Sequence, residues 1–86
     1  MFYYTYVLQS LLDHKLYIGW TPNIKKRFAD HCLGKVTSTK HRRPLKLVYF
    51  EACLDKASAI KREKQLKSGF GRKYLQNRLK YNSENA

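Results

Sequence analysis

Residues 15–22 read KLYIGWTP, a segment in which a strand passes directly into a helix start. Its aromatic and β-branched content is typical of a strand, which we predict from Lys15 to Trp20. Thr21 is then expected to be the N-cap and Pro22 the first helical residue. Gly19 lies inside this strand, and a glycine there indicates that another group approaches the backbone closely.

The flanking sequence extends this unit on both sides. Phe2 to Gln9 is rich in aromatic and β-branched residues and predicts a first strand. Asp13-His14 is typical of a turn, so the two strands should form a hairpin. On the other side the helix should run to about Leu33, with Gly34 following its C-terminus.

The rest of the chain predicts four further elements. In chain order they are an exposed basic loop (Lys35–Pro44), a strand (Leu45–Cys53), a helix capped by Asp55 and followed by Gly69 (Lys56–Ser68), and a helix after Gly71 that ends near Tyr81. The expected fold is α+β: a small three-stranded antiparallel sheet flanked by helices, in the order β-β-α-β-α-α. We expect a single domain over residues 1–81 and a flexible C-terminal tail over residues 82–86.

The charge balance indicates a polyanionic partner. The 86 residues contain 18 Lys and Arg against 6 Asp and Glu, a net charge of +12. A field of this sign favours nucleic acid first and an anionic membrane surface second. No segment has the roughly 20 apolar residues of a membrane span or the layout of a signal peptide, so we expect a cytoplasmic protein. Cys32 and Cys53 give neither a disulfide framework nor zinc-site spacing.

One carboxylate lies on an apolar helix face. Glu63 falls between Ile60 and Leu66 on the helical wheel, whereas its neighbours should point to solvent: Lys61, Arg62 and Lys64. Burying a carboxylate is costly unless it is paired or binds a metal ion. Glu63 is therefore a candidate functional residue, and the alternative is a salt bridge to an arginine of a neighbouring element.

The first helix shows a similar pattern. Arg27 and His31, four residues apart, flank the apolar stripe of Ile24 and Phe28. Both are candidate site residues. In the alternative reading, Arg27 extends along the edge of the core and His31 is a hydrogen-bonded core histidine.

Tyrosines supply candidate groups from the sheet. Tyr4 and Tyr6 share one face of the first strand, and Tyr17 lies in the second. A tyrosine hydroxyl can bind a phosphate oxygen or, when its pKa is perturbed, act as a base. The alternative role of each is packing.

The ordered set Tyr6, Tyr17, Gly19, Arg27, His31 and Glu63 resembles the motif of the GIY-YIG nuclease superfamily, in particular its small stand-alone members. The likeness covers roughly Phe2 to Leu79, and Tyr17-Ile18-Gly19 is an intact YIG element. The first element reads Tyr4-Thr5-Tyr6 and lacks its glycine and isoleucine. Because Tyr4 and Tyr6 share a face, either can be the aligned tyrosine.

The resemblance implies a DNA endonuclease that hydrolyses phosphodiesters with one Mg²⁺ or Mn²⁺ ion. Glu63 would hold the ion, weakly without substrate because one carboxylate is a sparse ligand set. Arg27 would contact the scissile phosphate, and Tyr6 or Tyr17, working with His31, would activate water. Asn77 is the candidate supporting amide. We expect the metal ion, Arg27 and the positive field to lower the tyrosine pKa, and His31, with an ordinary pKa of about 6.5, to relay protons.

Surface cations would then contact DNA phosphates: Lys40, Arg42, Arg43, Lys61, Arg62, Lys64, Lys67, Arg72 and Lys73. No base-reading helix is recognisable, so recognition should be structure-selective or non-specific, with DNA repair or recombination as the setting. A partner protein could supply targeting, and the oligomeric state stays open. Two alternatives remain: a catalytically weak or inactive nucleic-acid-binding module, and an RNA-binding protein.

Overall fold

The computed structural model describes the backbone of residues 1–85 and the side chains of residues 1–79. In chain order the elements are β1 (Tyr3–Ser10), β2 (Leu16–Thr21), α1 (Ile24–Cys32), a short 3-10 turn (Lys40–Arg42), β3 (Leu45–Cys53), α2 (Lys56–Lys67) and α3 (Gly69–Asn85). This confirms the α+β fold and the order β-β-α-β-α-α. The helix α3 begins two residues before Gly71 and continues past Tyr81. The predicted tail, residues 82–86, lies outside the described side chains, so its flexibility stays a prediction.

The sheet is antiparallel with the order β2-β1-β3, so β1 is the central strand. Its residues Thr5 to Leu8 are all buried, because β1 is covered on both faces. Tyr6 and Leu8 point to the face that α1 covers. Val7 points to the opposite face, where it packs with one leucine from α2 and one from α3, Leu66 and Leu75.

The helix starts follow side-chain capping. Asp55 accepts a hydrogen bond from the backbone N–H of Ser58 at 2.8 Å, which confirms it as the cap of α2. The predicted cap of α1 is wrong: Thr21 remains in β2, and Asn23 accepts from the backbone N–H of Lys26 at 3.1 Å. Thr21 instead accepts from the backbone N–H of Asn23, also at 3.1 Å, and so holds the strand-to-helix turn. Gly34 follows α1 with φ +77°, as predicted.

The segment from Lys35 to Pro44 is not simply an exposed loop, as we had expected. Val36 and Thr39 are buried. The buried hydroxyl of Ser10 donates to the backbone carbonyl of Arg42 at 2.7 Å. The segment is therefore packed against β1 and α1, and one of its side chains enters the site described below.

Gly71 allows α2 and α3 to approach each other closely. A methyl group at this position would lie 2.2 Å from the backbone oxygen of Gln65 and 2.3 Å from the Cα of Leu66. Both atoms belong to the backbone of the α2 C-terminal turn and cannot rotate away. The close approach places Leu66 and Leu75 together under the sheet.

Gly71→Ala should therefore destabilise the domain, although alanine is about 1 kcal/mol better than glycine inside a helix. We expect a loss of about 1–3 kcal/mol in the free energy of unfolding, measured by urea denaturation. Gly69→Ala is the matched control, because nothing lies within 4 Å of a methyl group there. Equal stability of the two variants would contradict the close packing.

Candidate active site

A chain of hydrogen bonds connects β1, α1 and the segment that follows α1. The hydroxyl of Tyr6 lies 2.8 Å from Nε2 of His31, and Nδ1 of His31 lies 2.7 Å from Oγ1 of Thr39. Tyr6 is 2% exposed, and His31 and Thr39 are fully buried. Because buried polar groups must be paired, this chain fixes the three side chains relative to one another.

Gly19 makes room for the Tyr6 ring. Tyr6 and Gly19 are directly opposite each other in the β1–β2 register. A methyl group on Gly19 would lie 2.6 Å from the Tyr6 hydroxyl oxygen and 2.8 Å from its ring carbon Cζ. The close approach that we predicted from a glycine within a strand is confirmed, and the approaching group is the candidate catalytic tyrosine itself.

Tyr17 completes an aromatic cluster around His31. Its ring centroid lies 5.2 Å from that of His31 and 6.4 Å from that of Tyr6, and it is only partly buried. Tyr4 is placed differently, with its ring against Phe2 and Phe50. Of the two candidate tyrosines on β1, the structure brings Tyr6 to His31 and leaves Tyr4 outside the cluster.

The electrostatics of the cluster differ from our expectation. Burial raises the pKa of Tyr6 above its usual 10, although Arg27 beside the hydroxyl partly opposes the shift. Burial, reinforced by the charge of Arg27, lowers the pKa of His31 from 6.5 to about 4. In the free protein at neutral pH, Tyr6 is therefore a phenol and His31 a neutral imidazole. We expected a metal ion, Arg27 and the positive field together to lower the Tyr6 pKa; in the protein alone, desolvation outweighs the opposing effect of Arg27.

These protonation states define the direction of the hydrogen bonds. A guanidinium can only donate hydrogen bonds, so Arg27 cannot accept one from the Tyr6 hydroxyl. The hydroxyl must therefore donate to another group. We assign His31 Nε2, 2.8 Å away, as that acceptor, and this assignment puts the imidazole proton on Nδ1, facing Thr39. Sequence reasoning missed Thr39. It lies eight residues after His31 in a segment without periodicity, and no pattern in the sequence indicates this contact.

Glu63 is a largely desolvated carboxylate on α2. Its side chain is 17% exposed, and its ion pair within the described residues is with Lys67, 3.6 Å away on the next turn of α2. Its negative charge also contributes to the raised pKa of Tyr6. The alternative salt bridge to an arginine of another element is not found in the described part of the chain. Glu63 therefore retains oxygen atoms that could hold a cation.

Arg62 does not point to solvent as predicted. Its guanidinium donates to both carboxylate oxygens of Glu51 on β3, at 2.9–3.2 Å, and stacks over the ring of Tyr74. This bidentate pair connects α2 to the edge of the sheet. Arg62 is thus the least available of the predicted phosphate contacts.

The other predicted cations divide into two groups. Arg42 and Arg43 have structural contacts: Arg42 lies 3.8 Å from Asp13, and Arg43 donates to the backbone carbonyl of Lys40 at 2.9 Å. The remainder are exposed: Lys40, Lys61, Lys64, Lys67, Arg72 and Lys73.

A groove of about 1220 Å³ lies between β2 and α3. Tyr17, Lys67, Arg72 and Asn77 are among its lining residues. Asn77 is exposed and lies on the groove wall with Tyr17, apart from the Tyr6–His31–Thr39 chain. Two exposed cations, Lys67 and Arg72, therefore line the same groove as Tyr17, the more accessible tyrosine of the cluster.

Glu63 alone does not supply enough ligands to coordinate a metal ion. Among residues whose side chains are described, no group of three His, Cys, Asp or Glu could hold an ion. Glu63 nevertheless supplies a partly buried carboxylate whose charge acts on Tyr6. Water and substrate oxygens would have to complete the coordination of a hard cation such as Mg²⁺.

The fold agrees with the comparison to known families. Residues 2–81 match the GIY-YIG catalytic domain, and the chain belongs to this family, whose members are generally nucleases. The chain is similar to UPF0213 proteins. It is 46% identical over 66 residues to one from Syntrophus aciditrophicus, covering 74% of this chain and 75% of the relative. It is 40% identical over 67 residues to one from Staphylococcus haemolyticus, covering 77% and 80%.

A solved structure supports the same assignment. The solution NMR structure of the UPF0213 protein BH0048 from Bacillus halodurans is 30% identical in sequence, with a TM-score of 0.56. The match covers 90% of this chain and 84% of that one. A nuclease superfamily implies a nucleic acid substrate. None of the helices within the described residues has the length and apolar content to cross a membrane.

The buried neutral His31 should make stability depend on pH. Its pKa is lower in the folded protein than in the unfolded chain, so the unfolded chain binds a proton first as the pH falls. The loss of stability should begin near pH 6.5, reach about 3 kcal/mol near pH 4 and then stop growing. We expect His31→Gln, compared with wild type by urea denaturation across this range, to lack this component. His41→Gln, at an exposed histidine, is the control and should keep it; parallel curves for wild type and His31→Gln would contradict the prediction.

Thr39 should determine the tautomer of His31. In wild type we expect the proton on Nδ1, visible in the ¹⁵N chemical shifts of the imidazole. Thr39→Val keeps the shape but removes the acceptor, at a cost of about 1–3 kcal/mol for the unpaired donor, and should move the proton to Nε2. Thr39→Ser should retain the wild-type tautomer. The same tautomer in all three proteins would rule out this role.

Proposed function

We propose that this chain is a metal-dependent DNA endonuclease that hydrolyses phosphodiester bonds. The observation that carries the proposal is the buried Tyr6–His31–Thr39 chain, with Tyr17, Arg27 and Glu63 around it. A merely structural hydrogen-bond chain would need neither an arginine directed at the tyrosine nor a carboxylate left beside it. The family membership reported above supports the same reaction class.

Arg27 is proposed to bind the scissile phosphate. Its guanidinium, on α1, affects the pKa values of both Tyr6 and His31. Glu63 would hold one Mg²⁺ or Mn²⁺ ion, which would neutralise charge on the phosphate and stabilise the leaving oxygen. The two residues approach the cluster from separate helices.

The protonation states of the free protein suggest how water is activated. Tyr6 donates to a neutral His31, so a proton can pass from the phenol to Nε2 along an existing hydrogen bond. With a pKa of about 4, His31 is a weak acceptor, in part because of Arg27. A phosphate bound to Arg27 would offset that charge and raise the His31 pKa. The phenolate oxygen of Tyr6 could then take the proton of the attacking water, with Tyr17 orienting the water from the accessible side.

Exposed cations are proposed to hold the DNA backbone. Lys67 and Arg72 line the groove that contains Tyr17, and Lys61, Lys64 and Lys73 extend this surface along α2 and α3. Phosphate contacts position a nucleic acid without reading its bases. Recognition would therefore be structure-selective or non-specific, which suits a role in DNA repair or recombination.

The experiment is a cleavage assay on duplex, single-stranded, flapped and branched DNA with Mg²⁺, Mn²⁺ or EDTA. Wild type should cut only with metal, and Glu63→Gln should cut roughly a hundredfold more slowly or worse. The reason is that metal stabilisation of the transition state amounts to several kcal/mol, and each 1.4 kcal/mol is tenfold in rate.

Asp30→Asn is the matched control. Asp30 forms the same type of i,i+4 pair with a lysine, at 3.4 Å, but on α1. It should therefore cut at close to the wild-type rate. Equal cutting by wild type and Glu63→Gln would exclude the proposed metal ligand. If neither protein cuts any substrate while both bind DNA equally well, the chain is a binding module instead.

A further inference from the structure

Three aromatic rings lie on the sheet face that carries Tyr6, beyond the part covered by α1. Phe2 packs against Tyr4 with ring centroids 6.4 Å apart, and Tyr4 packs edge-on against Phe50 at 6.1 Å. Phe2 is 47% exposed and Phe50 is 52% exposed. We call Phe2, Tyr4 and Phe50 the aromatic platform. Exposed apolar side chains that cluster in this way mark an interaction surface more often than scattered ones do.

The platform adjoins the candidate active site through the sheet register. Phe50 on β3 is directly opposite Tyr6, on the other side of Tyr6 from Gly19. Cross-strand partners project to the same face, with their Cβ atoms about 5 Å apart. Phe50 and Tyr6 are therefore neighbours in the sheet, although the Phe50 ring packs on Tyr4 and the Tyr6 ring lies over Gly19. A ligand that contacts Phe50 would therefore lie next to the strand pair that carries the candidate catalytic tyrosine.

The charge of the molecule identifies the kind of ligand. The net charge is +12. Five acidic residues are each engaged with a nearby group, as an ion-pair partner or as a helix cap: Asp13, Asp30, Glu51, Asp55 and Glu63. The surplus cations therefore remain to attract an anion. An aromatic surface on a strongly basic domain suits a polymer with both phosphates and flat apolar rings, which describes nucleic acid with accessible bases.

We propose that the aromatic platform stacks unpaired bases next to the scissile phosphate. A base inside a duplex has both of its faces covered by neighbouring pairs, so only an unpaired or extruded base can lie on Phe50. The preferred DNA would then have unpaired nucleotides at the cut, as in a single strand, a flap or a branch point. This inference rests on the proposed function for its ligand and narrows the substrate class.

The test measures binding without cleavage. The protein is titrated in EDTA into fluorescently labelled oligo-dT and into a blunt-ended duplex, and the dissociation constants are read from anisotropy. Phe50→Ala should weaken binding of the single strand by about 5- to 150-fold, the range expected for losing one stacked base. It should change duplex binding less than twofold, because backbone contacts remain.

Two variants serve as controls. Phe70→Ala removes a phenylalanine of higher exposure, 77%, at the start of α3, and should leave both affinities unchanged. Phe50→Trp keeps a stacking ring and should restore single-strand binding. Equal loss for both DNAs, or no loss for either, would overturn the proposal, as would a shift from dimer to monomer in Phe50→Ala, which would assign the platform to a second copy of the chain.

NMR on the wild-type protein tests the same proposal without a variant, and so does not depend on Phe50→Ala folding correctly. Ring-proton NMR signals of Phe2 and Phe50 should move upfield when oligo-dT is added, while those of Phe70 stay in place. Unmoved platform signals at saturation would exclude stacking. Both readouts are made without metal, so they remain decisive if the Glu63→Gln assay shows no cleavage.

Discussion

The site is organised around the contact between the ring of Tyr6 and the backbone at Gly19. Only a residue without a side chain leaves room for the phenol, which would otherwise meet a methyl group 2.6 Å from its oxygen. This contact places the hydroxyl under α1, where His31 receives it at 2.8 Å. The strand-to-helix turn after β2 then determines where α1 begins, and thereby where Arg27 lies. A β2 strand with a larger residue in place of Gly19 would displace the entire cluster.

The two faces of the sheet bury different kinds of side chain. On one face Val7, Leu66 and Leu75 form a dry core, and the close packing at Gly71 brings the two long helices together. On the other face the central residues are a tyrosine, a histidine and a threonine, all buried. Burying a titratable imidazole reduces stability below pH 6.5, so the apolar face must supply the stability that the polar face lacks. Burying polar side chains on one face is costly in a domain of 86 residues, because the free energy of unfolding of small domains is low.

Sequence periodicity predicted the elements well because they depend on local physics. The strand bounds of β3, the cap of α2 and the glycine after α1 were all predicted, and the ordered motif identified the family. The errors arose where distant parts of the chain meet. Arg62 was assigned to solvent because a helical wheel has one apolar stripe, whereas α2 also lies near Glu51 on the edge strand β3. The effect of burial on the Tyr6 and His31 pKa values was missed, because that burial depends on α1 and on the segment up to Thr39, neither of which the spacing of the motif describes.

The low pKa of His31 has a consequence for how the proposed enzyme would behave. In the free protein Arg27 and desolvation together keep the imidazole neutral and weakly basic. A phosphate at Arg27 would remove one of these two causes, so the histidine would become a better proton acceptor only with substrate in place. Charge screening by solvent is small at a fully buried imidazole, and the coupling between phosphate and His31 should therefore be strong. On this argument the arginine would have two roles: it would bind the phosphate, and until the phosphate arrives it would add to the desolvation that keeps the His31 pKa low.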